Sequence, residues 1–369
     1  MKSSGNHRKY FWKGRLCRMS VSTADAWQNI HWLNSGLRIL VARHGGKHPY
    51  LQHYYLSWLA REFPKLRSLF ELRLLPCKVR DWSRYRLYVP WFQDPAVDWM
   101  DRATYARALD LEAECKSRGI PIINSVAHTS NCIRSLAAGR LAAEGIRTPR
   151  VVPISDPQQF QSDLGGLDLP FIVRDDCGHG KAVVRVRQPS DLEKIRFDRM
   201  RRPIAVEWID VSGADSLFRK CRFVVAGTVG VRRHLIVSRH WEVRAARRVA
   251  SRATRQEELD YLTAPTSEHA LLDRARRCLY LQWAAFDYSF DSQGEPIVWE
   301  TNSYPNLSFP TERELSYTHP YVERSLAAMT HMYLTEAGLP VPEEIIRRMI
   351  LHTGCASQTW QDAAFISAA

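Results

Sequence analysis

The apolar positions of this chain change their period several times, and each change predicts an element. Residues 37–43 (GLRILVA) form a short apolar run that reads as a buried strand, followed by a turn at Gly45-Gly46. The Leu, Tyr and Trp positions of 49–63 (PYLQHYYLSWLAREF) recur at helical spacing. A second strand over 85–95 (YRLYVPWFQDP) ends in a turn at Asp94-Pro95. Then come a helix over 105–119, closed by Gly119, and a strand over 120–124 (IPIIN) ending at Asn124. Strand and helix in alternation predict an open α/β domain over residues 36–130. A helix over 132–144 stops at Gly145. Beyond 151 the texture shifts to shorter strands: FIVRDD, AVVRVR, IAVEWI, CRFVVAGTVGV, AAFDYSF and PIVWET. Helices over 190–200 and 255–280 lie between them, which predicts an α+β region with a largely antiparallel sheet. Residues 311–369 read as helical, with Gly and Pro between the two clearest segments, and residues 1–35 as a basic disordered tail. There is no internal repeat.

Composition narrows the class. A chain of 369 residues with 45% hydrophobic content and 12 tryptophans has enough apolar mass for two or three folded domains. No stretch approaches the roughly 18–20 uncharged apolar residues that a membrane span needs. The basic N-terminus lacks the apolar run of a secretory signal, and it reads as a tail or as sequence upstream of a start at Met19. Eight cysteines stand singly, without a C-x-x-C pair, which fits a reducing cytoplasm. The net charge of +13 calls for an anionic partner: an acidic small molecule or peptide, a nucleotide, or nucleic acid. The basic residues are spread rather than gathered into an aromatic-interleaved stripe, which disfavours nucleic acid.

Four segments could carry chemistry. In PIVWETNSYPNL (296–307) an apolar strand ends with Glu300 and Asn302, which share a face because they are two apart. Asp287 lies in the apolar strand WAAFDYSFD, and the turn DSQGEP brings it within reach of Glu300. A buried aspartate needs a partner, and three oxygen donors on neighbouring strands suit magnesium at a nucleotide. The alternative is a strand end turning into solvent. Residues 170–186 (PFIVRDDCGHGKAVVRV) read as a hairpin whose Gly178–Gly180 tip could close over phosphates near Arg174. AVEWID (205–210) is an apolar strand interrupted by Glu207, a hinge or an edge strand. Over 218–241, Arg219, Lys220, Arg222, Arg232, Arg233 and His234 gather on two adjacent strands, a basic cavity or a solvated basic face.

In this order the segments resemble the ATP-grasp superfamily, the fold of glutathione synthetase, D-alanine–D-alanine ligase and bacterial glutamate ligases. The likeness covers roughly 120–310 well and 37–120 more loosely. It implies two lobes gripping a nucleotide: a small lobe with its linker helix over 131–205 and a large lobe with the metal site over 206–310. By resemblance, Asp287, Glu300 and Asn302 bind the magnesium of Mg-ATP, with manganese able to replace it. The helix RSLAAGRLAAEGIRTP puts Arg134 where the family has a phosphate-contacting lysine, and the second such lysine falls on Arg174. Both are departures, since a guanidinium is larger and fork-shaped. Gly178 and Gly180 would cover the phosphates. VEWI, with Glu207, Trp208 and Ile209, would be the adenine hinge, and Asp210 or Asp215 would take the ribose. RKCRFVVAG resembles the strand with the family's catalytic arginine, Arg222, and His234 is the nearest candidate base. The implied activity is ATP-dependent ligation of a carboxylate to an amine through an acyl phosphate, on an anionic amino acid or peptide. Two alternatives stay open: a nucleotide-binding protein that no longer ligates, and a basic nucleic-acid-binding protein.

Overall fold

The computed structural model describes Met19 and residues 22–32, 36–44, 50–92, 102–176 and 183–350. It divides into two compact units. One holds the described residues up to Ser130 with Ser303–Phe309 and Thr330–Val341; the other holds Asn131–Asn302, Pro310–Met329 and the described residues from Pro342 on. The helical stretch after 310 is therefore shared between both units.

The first unit is built on a parallel sheet of β1 (Arg38–Arg43), β2 (Phe70–Leu74) and β3 (Tyr85–Trp91), in the order β2-β1-β3. The centre of β1, Ile39–Ala42, is buried throughout, as befits a parallel strand covered on both faces. Leu40 and Ala42 pack with Ala108, Leu111 and Cys115 of the helix Arg102–Lys116. Elsewhere in the unit, Tyr55 sets its ring against Phe70, Trp91 and Tyr333. Its hydroxyl lies 3.1 Å from Thr330 Oγ1.

Two expectations for this unit change. The strand expected over 120–124 reduces to one parallel bridge, Tyr88 to Ile122, and Asn124 turns the chain at a φ of 53°. Residues 22–32, expected within a disordered tail, are helical. Asp25 pairs with buried Arg43, and the Asn29 side chain brackets the backbone of Leu72 at 2.8 and 2.9 Å. Residues 1–18 and the Gly45-Gly46 and Asp94-Pro95 turns lie outside the described residues.

The second unit holds two antiparallel sheets. One is ordered β4-β7-β5-β6 from β4 (Val151–Pro153), β5 (Phe171–Asp175), β6 (Val183–Val186) and β7 (Pro203–Glu207). The other is ordered β11-β10-β8-β9 from β8 (Phe218–Ala226), β9 (Val229–Ser238), β10 (Trp283–Phe290) and β11 (Pro296–Asn302). One face of this larger sheet, carrying Cys221, Phe223, Leu235, Tyr288 and Val298, packs on the helices Arg134–Ala143 and His269–Cys278.

The helix expected over 255–280 is two, Arg252–Thr263 and His269–Cys278. Pro265 cannot donate a helical hydrogen bond and interrupts it, while Ser251 and Thr254 cap each other's backbone at the start. The segment 190–200 is two 3-10 turns rather than an α-helix. The helix expected from 132 begins at Arg134, and Gly145 follows it at a φ of 69° that L-residues avoid. Among the described residues no helix is long and apolar enough to cross a membrane.

Candidate functional site

The strand register draws four of the expected site residues into one row. Asp287 on β10 stands opposite Glu300 on β11 and Arg222 on β8, and Arg222 stands opposite His234 on β9. The order across the sheet is Glu300–Asp287–Arg222–His234. Asn302, opposite Ala285, falls one step along on the same face.

Two bulges make the row. One lies between the Asp287–Glu300 and Tyr288–Val298 pairs, and the other beside Arg222, where Arg233 is the extra residue. A bulge re-aims the residues on either side of it. Val298 therefore packs in the core while Glu300, two residues on, joins Asp287. Arg232 opposes the core residue Phe223 while His234 opposes Arg222.

The basic cluster read from 218–241 is consequently split. Arg219 binds Asp215 and Glu257, and Arg232 is buried in a pair with Glu268, its guanidinium 4.7 Å from the Tyr261 ring centre. Lys220, Arg222 and His234 remain beside Asp287.

Charge pairing in the row is dense. Arg222 donates twice to Asp287, at 2.6 and 2.9 Å, and Lys220 Nζ lies 3.1 Å from the same carboxylate. Arg134 donates to Glu300 at 2.9 Å and to the carbonyl of Trp299. Burial alone would raise the Asp287 carboxyl, but Arg222 and Lys220 hold it well below the usual carboxylate range. The Arg222 guanidinium is in turn held above its ordinary value: burial opposes its charge and Asp287 outweighs it. Burial, then Arg222 and Arg233, push the imidazole of His234 well below its ordinary value, so the ring is neutral at pH 7. Its Nε2 is buried without a hydrogen-bond partner among the described residues. Three cations thus face two carboxylates, leaving the row positive.

A second group forms where β7 ends. Glu207, expected to read an adenine edge, instead accepts the backbone N–H of Arg150 at 2.8 Å. Trp208 carries the guanidinium of Arg185 only 3.5 Å from its ring centre and meets Trp241 edge-on. Asp210 accepts from the backbone of Ser212 at 2.9 Å, which lowers its pKa. Ile209 lies between them, half-buried. Arg174 sits on β5 between Val183 of β6 and Ile204 of β7. Gly178 and Gly180 lie outside the described residues.

Asp176 and Arg185 join these groups although the sequence marks neither as a site residue, and Lys220 joins from the basic cluster of 218–241. Asp176 is buried and binds the amide and the hydroxyl of Ser135 at 3.1 and 2.6 Å. It supplies the anion that the N-terminus of helix Arg134–Ala143 favours, since Ile133 at the cap has no side-chain acceptor. No motif marks it; the signal was only its place after an apolar strand.

The donor set of Asp287, Glu300 and Asn302 fits a hard divalent cation. It offers two carboxylates and a carboxamide on one face, few enough to leave positions for water and phosphate oxygens. Among the described residues no three acidic, His or Cys side chains group to hold a metal by themselves.

No family model matches the sequence, and no curated protein sequence does. Solved structures do resemble the chain. The D-alanine–D-alanine ligase of Bacillus anthracis complexed with ATP is 15% identical over 83% of this chain and 99% of its own, with a TM-score of 0.51. The ATP-grasp ligase PsnB, complexed with a phosphomimetic variant of minimal precursor, Mg and ADP, is 14% identical over 80% of this chain and all of its own, also at 0.51. The ADP complex of PurK, an N5-carboxyaminoimidazole ribonucleotide synthetase, is 12% identical over 84% of this chain and 79% of its own, at 0.51. The two antiparallel sheets of the second unit, in their order along the chain and beside these near full-length likenesses, give this protein the ATP-grasp fold.

Proposed function

We propose that this chain is an ATP-dependent ligase that joins a carboxylate to an amine. One observation carries the reading: the row Glu300–Asp287–Arg222–His234, two carboxylates, a guanidinium and a neutral imidazole, lies across one sheet of an ATP-grasp fold. In this reading Asp287, Glu300 and Asn302 hold magnesium, which when bound neutralises phosphate charge. Trp208 and Ile209 flank the adenine and Asp210 takes the ribose. Arg134 and Arg174 hold phosphates, beneath the loop with Gly178 and Gly180. The substrate carboxylate attacks the γ-phosphorus, ADP leaves, and an acyl phosphate forms. The amine then attacks the acyl carbon, phosphate leaves, and the amine's proton passes to a base. Arg222 steadies the charge on the acyl phosphate and on the tetrahedral oxyanion, as a preorganised cation in a water-poor site does best. His234 is the nearest candidate for the proton because its Nε2 has no partner among the described residues; burial and the neighbouring arginines make it a weak base that must pass the proton on. The positive balance of the row favours an anionic substrate, an acidic amino acid or peptide.

Arg134 supports a second reading. It stands where the family has lysine and spends its guanidinium on Glu300 and Trp299, as a nucleotide-binding protein without turnover would allow. ADP release across a panel of amino acids and peptides separates the two. Ligation predicts substrate-stimulated ADP release that Glu300→Gln abolishes, with the circular dichroism spectrum unchanged. ATP binding without ADP release for every pair favours the second reading, and full turnover in the Gln variant removes Glu300 from the site.

A further inference from the structure

The carboxylate row absorbs only a small part of the surplus positive charge. A second concentration lies in the first unit, where Arg38, Arg73, Lys78, Arg80 and Arg84 line a concavity of about 500 Å³. The volume lies within the range of small-molecule sites. Two acids oppose these five cations, Asp81 in the lining and Glu71 beneath it, which leaves an excess of three positive charges.

The pocket is built rather than a loose fringe of surface charge. Glu71 is 2% exposed, yet it takes Arg38 on one carboxylate oxygen and Arg73 on the other, and Tyr85 donates to it at 2.8 Å. Burial would neutralise Glu71, but Tyr85 and Arg38 outweigh it and keep the carboxyl below its ordinary value. One buried anion thereby orients two guanidiniums. The loop carrying Lys78, Arg80 and Arg84 is pinned to helix Arg102–Lys116. Trp82 donates to Glu114 at 2.8 Å, and Arg107 binds both the carbonyl of Cys77 and Glu114. Asp81 is already engaged by the backbone N–H of Ser83. Among the described residues the apolar lining comes from Val79 and the Tyr85 ring, so a ligand with a large apolar part gains little there. Preorganised guanidinium forks match phosphoryl and carboxylate oxygens alike.

We propose that this pocket binds a compact polyanion carrying three or more negative charges, a polyphosphate or a polycarboxylate. The assignment is independent of the ligase reading. Isothermal titration of the full chain with inorganic tripolyphosphate and, separately, with citrate at 150 mM salt tests it, alongside Lys78→Gln/Arg80→Gln/Arg84→Gln. These three side chains are exposed, so the triple variant keeps the fold, checked by circular dichroism. At least one anion should bind the wild type and lose 30-fold or more in affinity in the triple variant, with ATP turnover unchanged. Tighter tripolyphosphate assigns phosphoryl groups, and tighter citrate assigns carboxylates. Equal affinity in wild type and variant overturns the proposal. So does failure of both anions to bind, or binding of hexaglutamate in preference to either.

Discussion

Replacing Arg222 tests whether the row is a coupled unit or a set of neighbours. The Asp287 side chain is 3% exposed and Arg222 18%, and two hydrogen bonds of 2.6 and 2.9 Å join them. Arg222→Met leaves a buried carboxylate with Lys220 alone, at 3.1 Å. Stranding one partner of a buried ion pair costs about 3–5 kcal/mol, and Lys220 brings this toward the lower end, about 3 kcal/mol. Asp287→Asn leaves Arg222 facing a carboxamide, and a cost of about 2–3 kcal/mol is expected on the same grounds. In the double variant neither stranded charge of the pair remains, and Lys220, which is 24% exposed, can turn to solvent. The double variant should therefore be more stable than the two single losses added together predict, by about 2 kcal/mol. Urea unfolding of the four proteins gives the cycle, each midpoint multiplied by a common slope. Additivity within about 0.5 kcal/mol would refute the coupling, and with it the view that Arg222 and Asp287 act as one unit.

Two further outcomes follow from the packing. Gly230 on β9 lies under a ring pair: a Cβ there would collide with the His269 ring and meet Phe223 Cε1 at 2.7 Å. Gly230→Ala should cost about 1–3 kcal/mol, and adding His269→Ala should recover most of it; thermal melts showing no relief would mean that the backbone shifts instead. Burial lowers the pKa of His234, His269 and His331 in the folded chain. As pH falls through the unfolded-state value near 6.5, the unfolded chain takes up protons that the folded chain refuses, so stability falls. The melting temperature should drop between pH 7.5 and 5.5, and His234→Gln should flatten that drop, whereas an unchanged slope would place His234 in contact with solvent.

Much of the architecture was legible in the order of apolar runs. Eight of the strand segments needed only a local apolar or alternating run, and the turns at Gly119 and Gly145 were marked by residue type. The strand Phe70–Leu74 was not: its five residues alternate, but so short a run does not separate a strand from a turn of helix, and its buried Glu71 is satisfied by Arg38 and Tyr85 from neighbouring strands as well as by Arg73 beside it. Helical spacing over 255–280 survives across Pro265, although the hydrogen bonds do not, so the sequence does not show the break between the two helices.

For the site, residue types and spacing alone determined that Asp287, Glu300 and Asn302 sit on adjoining strands with arginines nearby. They could not determine which arginines. Strict alternation along Arg232-Arg233-His234 puts Arg232 and His234 on one face, and the structure separates them. The bulge at Arg233 sends Arg232 to Glu268 in the core and His234 to Arg222. A bulge is a property of the pairing between two strands, set by which residues each can bury and hydrogen-bond, so no single strand's sequence records it. The same holds for Arg134. Its helix was readable, but its partner Glu300 lies 166 residues away, and only the folded sheet brings them within 2.9 Å.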